Sequence, residues 1–208
     1  MTDIKNLGPI FGSLFLECGS VCLVTSIDEK GVPNIITCSS VFPIQSGYVG
    51  VLVGFTRHSY KLIKTWGEFA VNLPSRDIRE EVMCCGTHTG IEYRKFEECH
   101  LTPKKARKIK PPVIRECVVW LECENYSAAH TESHTFFIGR VVSAYAREEA
   151  LDVLFDPMKN LNKWSLLSKY SSESTMKKLC EETGADFHMV REFWQRYYNV
   201  WGGRWLKE

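Results

Sequence analysis

Apolar and β-branched residues occur in short runs separated by turn residues, which is a pattern typical of β-strands. Residues 21–27 form the first run, and the turn sequence DEKG separates it from a second run at residues 32–38. These two runs predict a β-hairpin. Residues 48–55 are apolar at nearly every position, so they predict a third strand in the centre of a sheet.

Two short helices are predicted between the strands. Residues 58–67 have Ser59 as a candidate N-cap and Gly67 as a left-handed stop. Residues 75–86 predict a second helix, capped by its first serine and stopped by its last glycine. Further strands are predicted at residues 68–74, 113–125 and 134–146.

The order of these elements indicates a mainly β protein. Long helices do not alternate with the strands, which argues against a doubly wound parallel sheet, and a Gly-x-Gly-x-x-Gly fingerprint is absent. A β-barrel with inserted short helices is the expected fold, because closure removes exposed sheet edges. We expect a barrel domain at residues 1–155. Residues 156–208 would form a partly helical, aromatic-rich extension that packs on the barrel or on a dimer partner.

Composition and charge narrow the choice of partners. The chain has 208 residues, 44% hydrophobic, with a formal net charge of +1, so no overall field would attract nucleic acid or an anionic membrane. The basic stretch KKARKIK contains no aromatic residue to stack on bases and predicts a solvated loop. Neither a membrane span nor a signal peptide is apparent, so we expect a cytoplasmic protein.

Nine cysteines are present, and none forms a Cys-x-x-Cys pair. In a cytoplasmic protein this pattern favours thiols over disulfides and over a structural zinc site. Cys117 and Cys123 fall on one face of a predicted strand together with Val119 and Leu121, so both thiols are expected on its core face. The motif HTESH has its glutamate in the wrong place for a zinc protease, and no metal site is predicted.

A candidate anion site lies at the sequence TRHS, where the third strand gives way to the first helix. The free amides and the positive dipole end of a helix start favour phosphate, and Arg57 and Ser59 would add a charge and a hydroxyl. From these residues alone, a capping serine beside a surface arginine is an equally good interpretation. The preceding strand ends in TCSS, a row of small hydrogen-bonding groups that would reach the same place.

Several motifs in one order resemble a known family. They are GVPNIITCSS, TRHSYKLIKTWGEFAVNLPS, YRKF, LTP, PPVIRECVVWLEC and HTFFIGRVV. With them the chain is similar to the flavin reductase-like, FMN-binding split-barrel family, and within it to the flavoredoxin branch. The resemblance implies a Greek-key split barrel with FMN as its cofactor.

The same resemblance implies roles for individual residues. The strand and turn along the flavin ring and its ribityl chain would comprise Asn34, Thr37, Cys38, Ser39 and Ser40. The FMN phosphate would be met by Arg57, His58 and Ser59, with Lys95 as a second cation. His134 would approach the flavin from a later strand, and Trp164 would cover the ring. Relatives often have alanine or serine where Cys38 stands.

The flavin itself would supply the chemistry, so no side chain is assigned as an acid or base, His134 being the one candidate proton partner. Three functions remain open. The protein is an NAD(P)H-dependent flavin or ferric reductase, an FMN electron carrier served by a ferredoxin-like donor, or a non-redox barrel for another planar ligand such as haem. We also expect a homodimer, because the aromatic C-terminal stretch is too apolar to remain in solvent.

Overall fold

The structure is a computed structural model, and it describes residues 4–6, 20–45, 47–148, 150, 177–178, 180–181, 187–188 and 191. The strands are β1 Ile4–Asn6, β2 Ser20–Ile27, β3 Pro33–Gln45, β4 Tyr48–Gly54, β5 Glu68–Leu73, β6 Pro103–Lys104, β7 Val113–Ile114, β8 Val119–His130 and β9 His134–Arg147. The helices are α1 His58–Trp66, α2 Arg79–Thr87 and α3 Lys95–Glu98, with a 3₁₀ turn at Arg76–Ile78.

Six antiparallel strands close into a barrel. They lie in the order β9-β4-β3-β2-β5-β8, and the pairing of β8 with β9 completes the ring. After the consecutive strands β2, β3 and β4, strand β5 returns beside β2, which is Greek-key topology. The predicted barrel with inserted short helices is confirmed. The strand β1 pairs with the end of β9, outside the ring.

One hydrophobic cluster fills the barrel. Alternate residues of all six strands contribute to it, as closure requires, and examples are Val24, Val51, Phe69, Leu121 and Phe137. Helix α1 adds Ile63, which is fully buried in the same cluster. The helix is therefore fixed against the barrel by its apolar face, and its first residues are held in place with it.

A second cluster covers the outside of the barrel. Outward-facing Leu23, Ile35 and Trp120 are buried beneath α2, α3 and residues 101–117. The buried carboxylate of Glu122 accepts hydrogen bonds from two backbone amides of this covering segment, at 2.7 and 2.6 Å, and from the Tyr145 hydroxyl at 2.8 Å. These bonds tie the covering segment to β8 and β9 and fix its position on the barrel. The basic stretch lies in this segment mostly as a loop, as predicted, but Lys104 belongs to β6 and the stretch is not fully solvated, because Ala106 and Ile109 are buried in the outer cluster.

The predicted strand 113–125 is wrong, because the chain turns between β7 and β8. The indole Nε1 of Trp120 donates to the carbonyl oxygen of Ile114 at 2.6 Å across this turn. As a result, Cys117 lies in the turn and is buried in the outer cluster. Cys123 is buried inside the barrel. The two thiols do not share a strand face.

The helix starts also differ from the prediction. Arg57, in an extended conformation, is the N-cap of α1 and makes no side-chain cap bond, so Ser59 does not cap that helix. The second predicted helix begins as a 3₁₀ turn, and the Ser75 side chain before it makes no capping hydrogen bond. Helix α2 continues one residue beyond Gly86, so this glycine does not end it. At the end of α1, Gly67 adopts the predicted left-handed conformation with φ 67°.

Most of the expected C-terminal extension, with Trp164 and the aromatic stretch 194–205, lies outside the described residues. Within the described part, Cys180 is buried in the cluster that fills the barrel. The homodimer therefore stays a prediction. Among the described residues, no helix has both the length and the apolar character to span a membrane.

Candidate functional site

A cleft of about 430 Å³ lies where the start of β3, the N-terminus of α1 and the stretch from α2 to α3 meet. The barrel side of the cleft is lined by Asn34, Ile36 and Thr37. The helix side is lined by residues 56–59, and the outer wall by residues between Cys85 and Lys95. Six of the residues predicted as site residues thus meet in one place: Asn34, Thr37, Arg57, His58, Ser59 and Lys95.

A buried hydrogen bond joins the barrel to the helix start. The Asn34 side-chain Nδ2 donates to the Ser59 hydroxyl oxygen at 2.7 Å. The two residues are only 5% and 2% exposed. The other amide atom, Asn34 Oδ1, is buried without a hydrogen-bond partner. Because buried acceptors are rarely left unpaired, this oxygen marks a place where a ligand could donate a hydrogen bond.

The start of α1 presents a positive end to the cleft. The first amides of a helix have no intrahelical partner, and no side chain caps them here. Arg57 lies directly before the helix with its side chain exposed. Burial lowers the pKa of His58, and the nearby Asp28 carboxylate opposes this shift without reversing it. His58 is therefore a neutral ring at neutral pH, and the arginine carries the charge.

Lys95 brings a second cation to the cleft from α3. It is 4% exposed, and its Nζ donates to the carbonyl oxygen of Cys85 at 2.7 Å. Burial lowers the pKa of Lys95, and the positive charge of Arg57 lowers it further. Both effects disfavour a buried ammonium, so an anion bound between Lys95 and Arg57 would relieve them.

Sequence reasoning missed the outer wall, which has the sequence GTHTGIEY. His88 and Tyr93 stack with ring centroids 4.1 Å apart, and His88 Nδ1 lies 3.0 Å from the carbonyl oxygen of Cys84. The signal was present in the sequence, because GTHTG is a second row of small hydrogen-bonding residues like TCSS. It was overlooked because it follows the predicted end of a helix.

Two glycines let this wall approach the barrel. A Cβ added to Gly90 would lie 1.8 Å from Asn34 Oδ1, and one added to Gly86 would lie 3.3 Å from Thr37 Cβ. The Thr37 hydroxyl donates to the carbonyl oxygen of Val82 at 2.7 Å, on the helix that leads into the wall. The width of the cleft therefore depends on the absence of side chains at these two positions.

Four other predicted residues do not line the cleft: Cys38, Ser39, Ser40 and His134. Trp164 lies outside the described residues. The register between β2 and β3 shifts after Cys38, which marks an irregularity in the TCSS row. Cys38 points into the barrel cluster, while Ser39 is exposed and Ser40 half-buried. His134 is exposed and lies against Gly54, with its Nδ1 2.7 Å from the Ser133 hydroxyl.

The expectation that all cysteines are thiols is wrong for one pair. Cys84 and Cys99 form a disulfide. The other cysteines in the described ranges are buried and do not belong to a disulfide. Burial raises the pKa of the Cys38 thiol and raises that of Cys85 to about 11. Both thiols are therefore protonated at neutral pH, so neither is a thiolate nucleophile.

Comparison with known proteins identifies the family. A model of the family described as "Flavin reductase like domain" matches residues 16–164. The chain belongs to this family. An uncharacterized protein of Archaeoglobus fulgidus is 35% identical over 58% of this chain and 68% of its own length. One of Pyrococcus abyssi is also 35% identical, over 50% of this chain and 59% of its own length, so the chain spans about three fifths of that relative.

Solved members of the flavin reductase-like group have the same fold. Flavoredoxin from Methanosarcina acetivorans has a TM-score of 0.56 and 25% identity, covering 62% of this chain and 69% of that one. An FMN-binding domain of a flavin reductase-like enzyme from Shewanella baltica has a TM-score of 0.62 at 16% identity, covering 70% and 78%. The neighbours are FMN-binding split-barrel proteins, in agreement with the closed Greek-key barrel seen here.

The close approach of the outer wall makes a direct prediction. Replacing Gly90 by alanine should lower the free energy of unfolding by about 1–3 kcal/mol, because overpacking displaces either the wall or Asn34. Chemical denaturation measures this loss. Gly86→Ala is the matched control, since its Cβ meets Thr37 at 3.3 Å and should cost less. A Gly90→Ala protein as stable as the parent would show that the wall does not pack against Asn34.

Proposed function

We propose that the cleft binds FMN and that the protein is a flavin reductase-like redox protein that passes electrons or hydride through this cofactor. The observation that carries the proposal is the positive end of the cleft. An uncapped helix start, the exposed Arg57 and the buried Lys95 converge there. A phosphate monoester, as found in FMN, is the ligand group that fits such an arrangement.

The barrel side of the cleft fits the rest of the ligand. Asn34 Oδ1 is a buried acceptor without a partner beneath Gly90, so a ribityl hydroxyl would donate to it once the wall shifts away from the barrel. Thr37 and the glycines of the wall leave the backbone accessible on both sides of the cleft. When bound, FMN supplies the electron or hydride chemistry, and the residues of this chain bind, orient and partly shield it.

The relatives support a redox role without choosing between donors. One structural neighbour is an NADH:FAD oxidoreductase from Streptomyces globisporus, at 20% identity, and another is the flavoredoxin of Methanosarcina acetivorans, at 25%. The first parallel favours a reductase that uses NAD(P)H. The second favours an electron carrier served by a ferredoxin-like donor. Rapid bleaching of the bound flavin by NADH or NADPH would select the reductase. Slow bleaching by these donors together with fast reduction by ferredoxin or dithionite would select the carrier.

The identity of the cofactor is the first test. Protein purified or reconstituted with mixed flavins should release FMN on heat denaturation, because the cleft has one positive end and the described residues offer no second diphosphate loop. Chromatography of the released cofactor against FMN, FAD and riboflavin standards makes the measurement. Release of mostly FAD, or of no flavin after reconstitution, would contradict the proposal.

The two cations should discriminate FMN from riboflavin, which lacks the phosphate. A charge-assisted hydrogen bond contributes about 1.5–3 kcal/mol, equivalent to roughly tenfold to a hundredfold in affinity. We expect Lys95→Gln, which retains a donor for the Cys85 carbonyl, to weaken FMN by this factor and riboflavin little. Arg57→Gln should lose less affinity for FMN than Lys95→Gln, because solvent and salt screen an exposed charge.

Titration of flavin fluorescence against each variant measures both affinities. Arg76→Gln is the control for loss of an exposed cation, since Arg76 is exposed and does not line the cleft. Equal losses for FMN and riboflavin in the Lys95 variant would place the effect on the fold or on the ring. The phosphate assignment would then be wrong.

A further inference from the structure

The disulfide closes the part of the chain that forms the outer wall of the cleft. Cys84 lies near the end of α2 and Cys99 directly follows α3, with a sequence separation of 15 residues. More than half of the residues that line the cleft fall between these two cysteines. The bond therefore joins the two ends of a single loop, and that loop is the wall.

Few other interactions hold this wall to the protein. In the described part of the chain, and apart from the helical backbone bonds of Gly86 and Thr87 within α2, the hydrogen bonds of residues 86–94 stay within the stretch or reach only residues 83, 84, 97 and 98. Beyond them, the hydrogen bond from Lys95 Nζ to the Cys85 carbonyl ties the base of the loop. Thr87, His88 and Thr89 are exposed. The covalent bond is thus the strongest constraint on the wall position.

We propose that Cys84 and Cys99 are positioning residues that couple the affinity of the cleft to the thiol redox state of the protein. The proposal rests on the proposed function for its ligand, FMN. In the disulfide form the wall is held ready for the ligand, so little ordering is needed on binding. In the dithiol form the base of the loop keeps only noncovalent contacts, such as the hydrogen bond from Lys95 to the Cys85 carbonyl and the burial of Phe96. The wall between them then has more freedom, and binding must order it.

The chemical step is reduction of the disulfide by a small or protein dithiol. The Sγ–Sγ bond breaks, two electrons and two protons pass to Cys84 and Cys99, and the donor becomes a disulfide. The half-buried Cys84 is the accessible sulfur, because Cys99 is 2% exposed. The neighbouring Cys85 does not compete for the bond, since burial raises the pKa of its thiol to about 11 and leaves it protonated.

The test compares FMN affinity of the full chain before and after treatment with dithiothreitol. Coupling between sites is commonly worth about 5-fold to 150-fold, and we expect FMN to bind at least about fivefold more weakly to the reduced protein. Linkage is reciprocal, so FMN should raise the dithiothreitol concentration needed for half-reduction by the same factor. Mass spectrometry of alkylated Cys84 and Cys99 measures that reduction.

Variants separate this effect from a general effect of the reductant. Cys84→Ser/Cys99→Ser should bind FMN like the reduced parent and should not respond to dithiothreitol. Cys117→Ala, which removes a thiol of the outer cluster away from the cleft, should keep the full response. Reoxidation of the parent should restore its affinity, a reversal that damage to the fold would not show.

Two outcomes would overturn the proposal. One is an affinity that agrees within about twofold between the two redox states. The other is alkylation of both cysteines in protein that has not been reduced. If the chain binds no FMN in either state, the proposed function fails, and proteolysis of the ligand-free protein decides the present proposal separately. Cleavage within residues 86–94 should then be faster after reduction. Equal cleavage rates before and after reduction would refute the proposal that the disulfide holds the wall in place.

Discussion

Closure of the barrel by β8 and β9 is the constraint on which the other features depend. The closed ring leaves no exposed sheet edge among its six strands, but its outer face carries apolar residues such as Leu23, Ile35 and Trp120. These residues must be covered, and the segment from α2 to β7 covers them. The cleft lies where this cover meets the start of β3 and the N-terminus of α1. The site is thus a consequence of how the barrel hides its outer face.

The two sides of the cleft are stabilised in different ways. The barrel side is fixed by buried contacts, of which the hydrogen bond from Asn34 to Ser59 at 2.7 Å is the one nearest the helix start. The outer wall has mostly local hydrogen bonds and depends on a disulfide at its base. A rigid helix start beside a wall with few hydrogen bonds to the barrel suits the proposed cofactor site, because one end of a ligand would be held while the wall adjusts to the other.

The barrel and the helix start that carries Arg57 could be predicted from the sequence because both follow from local patterns. Alternating apolar runs identified the strands, and TRHS combined a helix start with Arg57 and Ser59. Sequence could not show that Ser59 would bond to Asn34, because that contact depends on how α1 packs on the first hairpin. The sequence also could not reveal the Cys84–Cys99 pair, since this pairing depends on the ends of α2 and α3 meeting at the base of the wall. Cys38 faces the barrel interior by regular strand alternation with the outward Ile35, and the register irregularity that displaces the rest of the TCSS row begins only after it, where no local pattern marks it.

The central claim is that the N-terminus of α1 receives the phosphate of a flavin mononucleotide. The most direct measurement is the backbone amide NMR spectrum of the ligand-free chain titrated with FMN and, separately, with riboflavin. The amides of His58 and Ser59 should shift strongly with FMN and weakly with riboflavin, while the amides around Thr37 and Gly90 should shift with both. Equal shifts of His58 and Ser59 with the two ligands, or shifts confined to another surface, would contradict the claim.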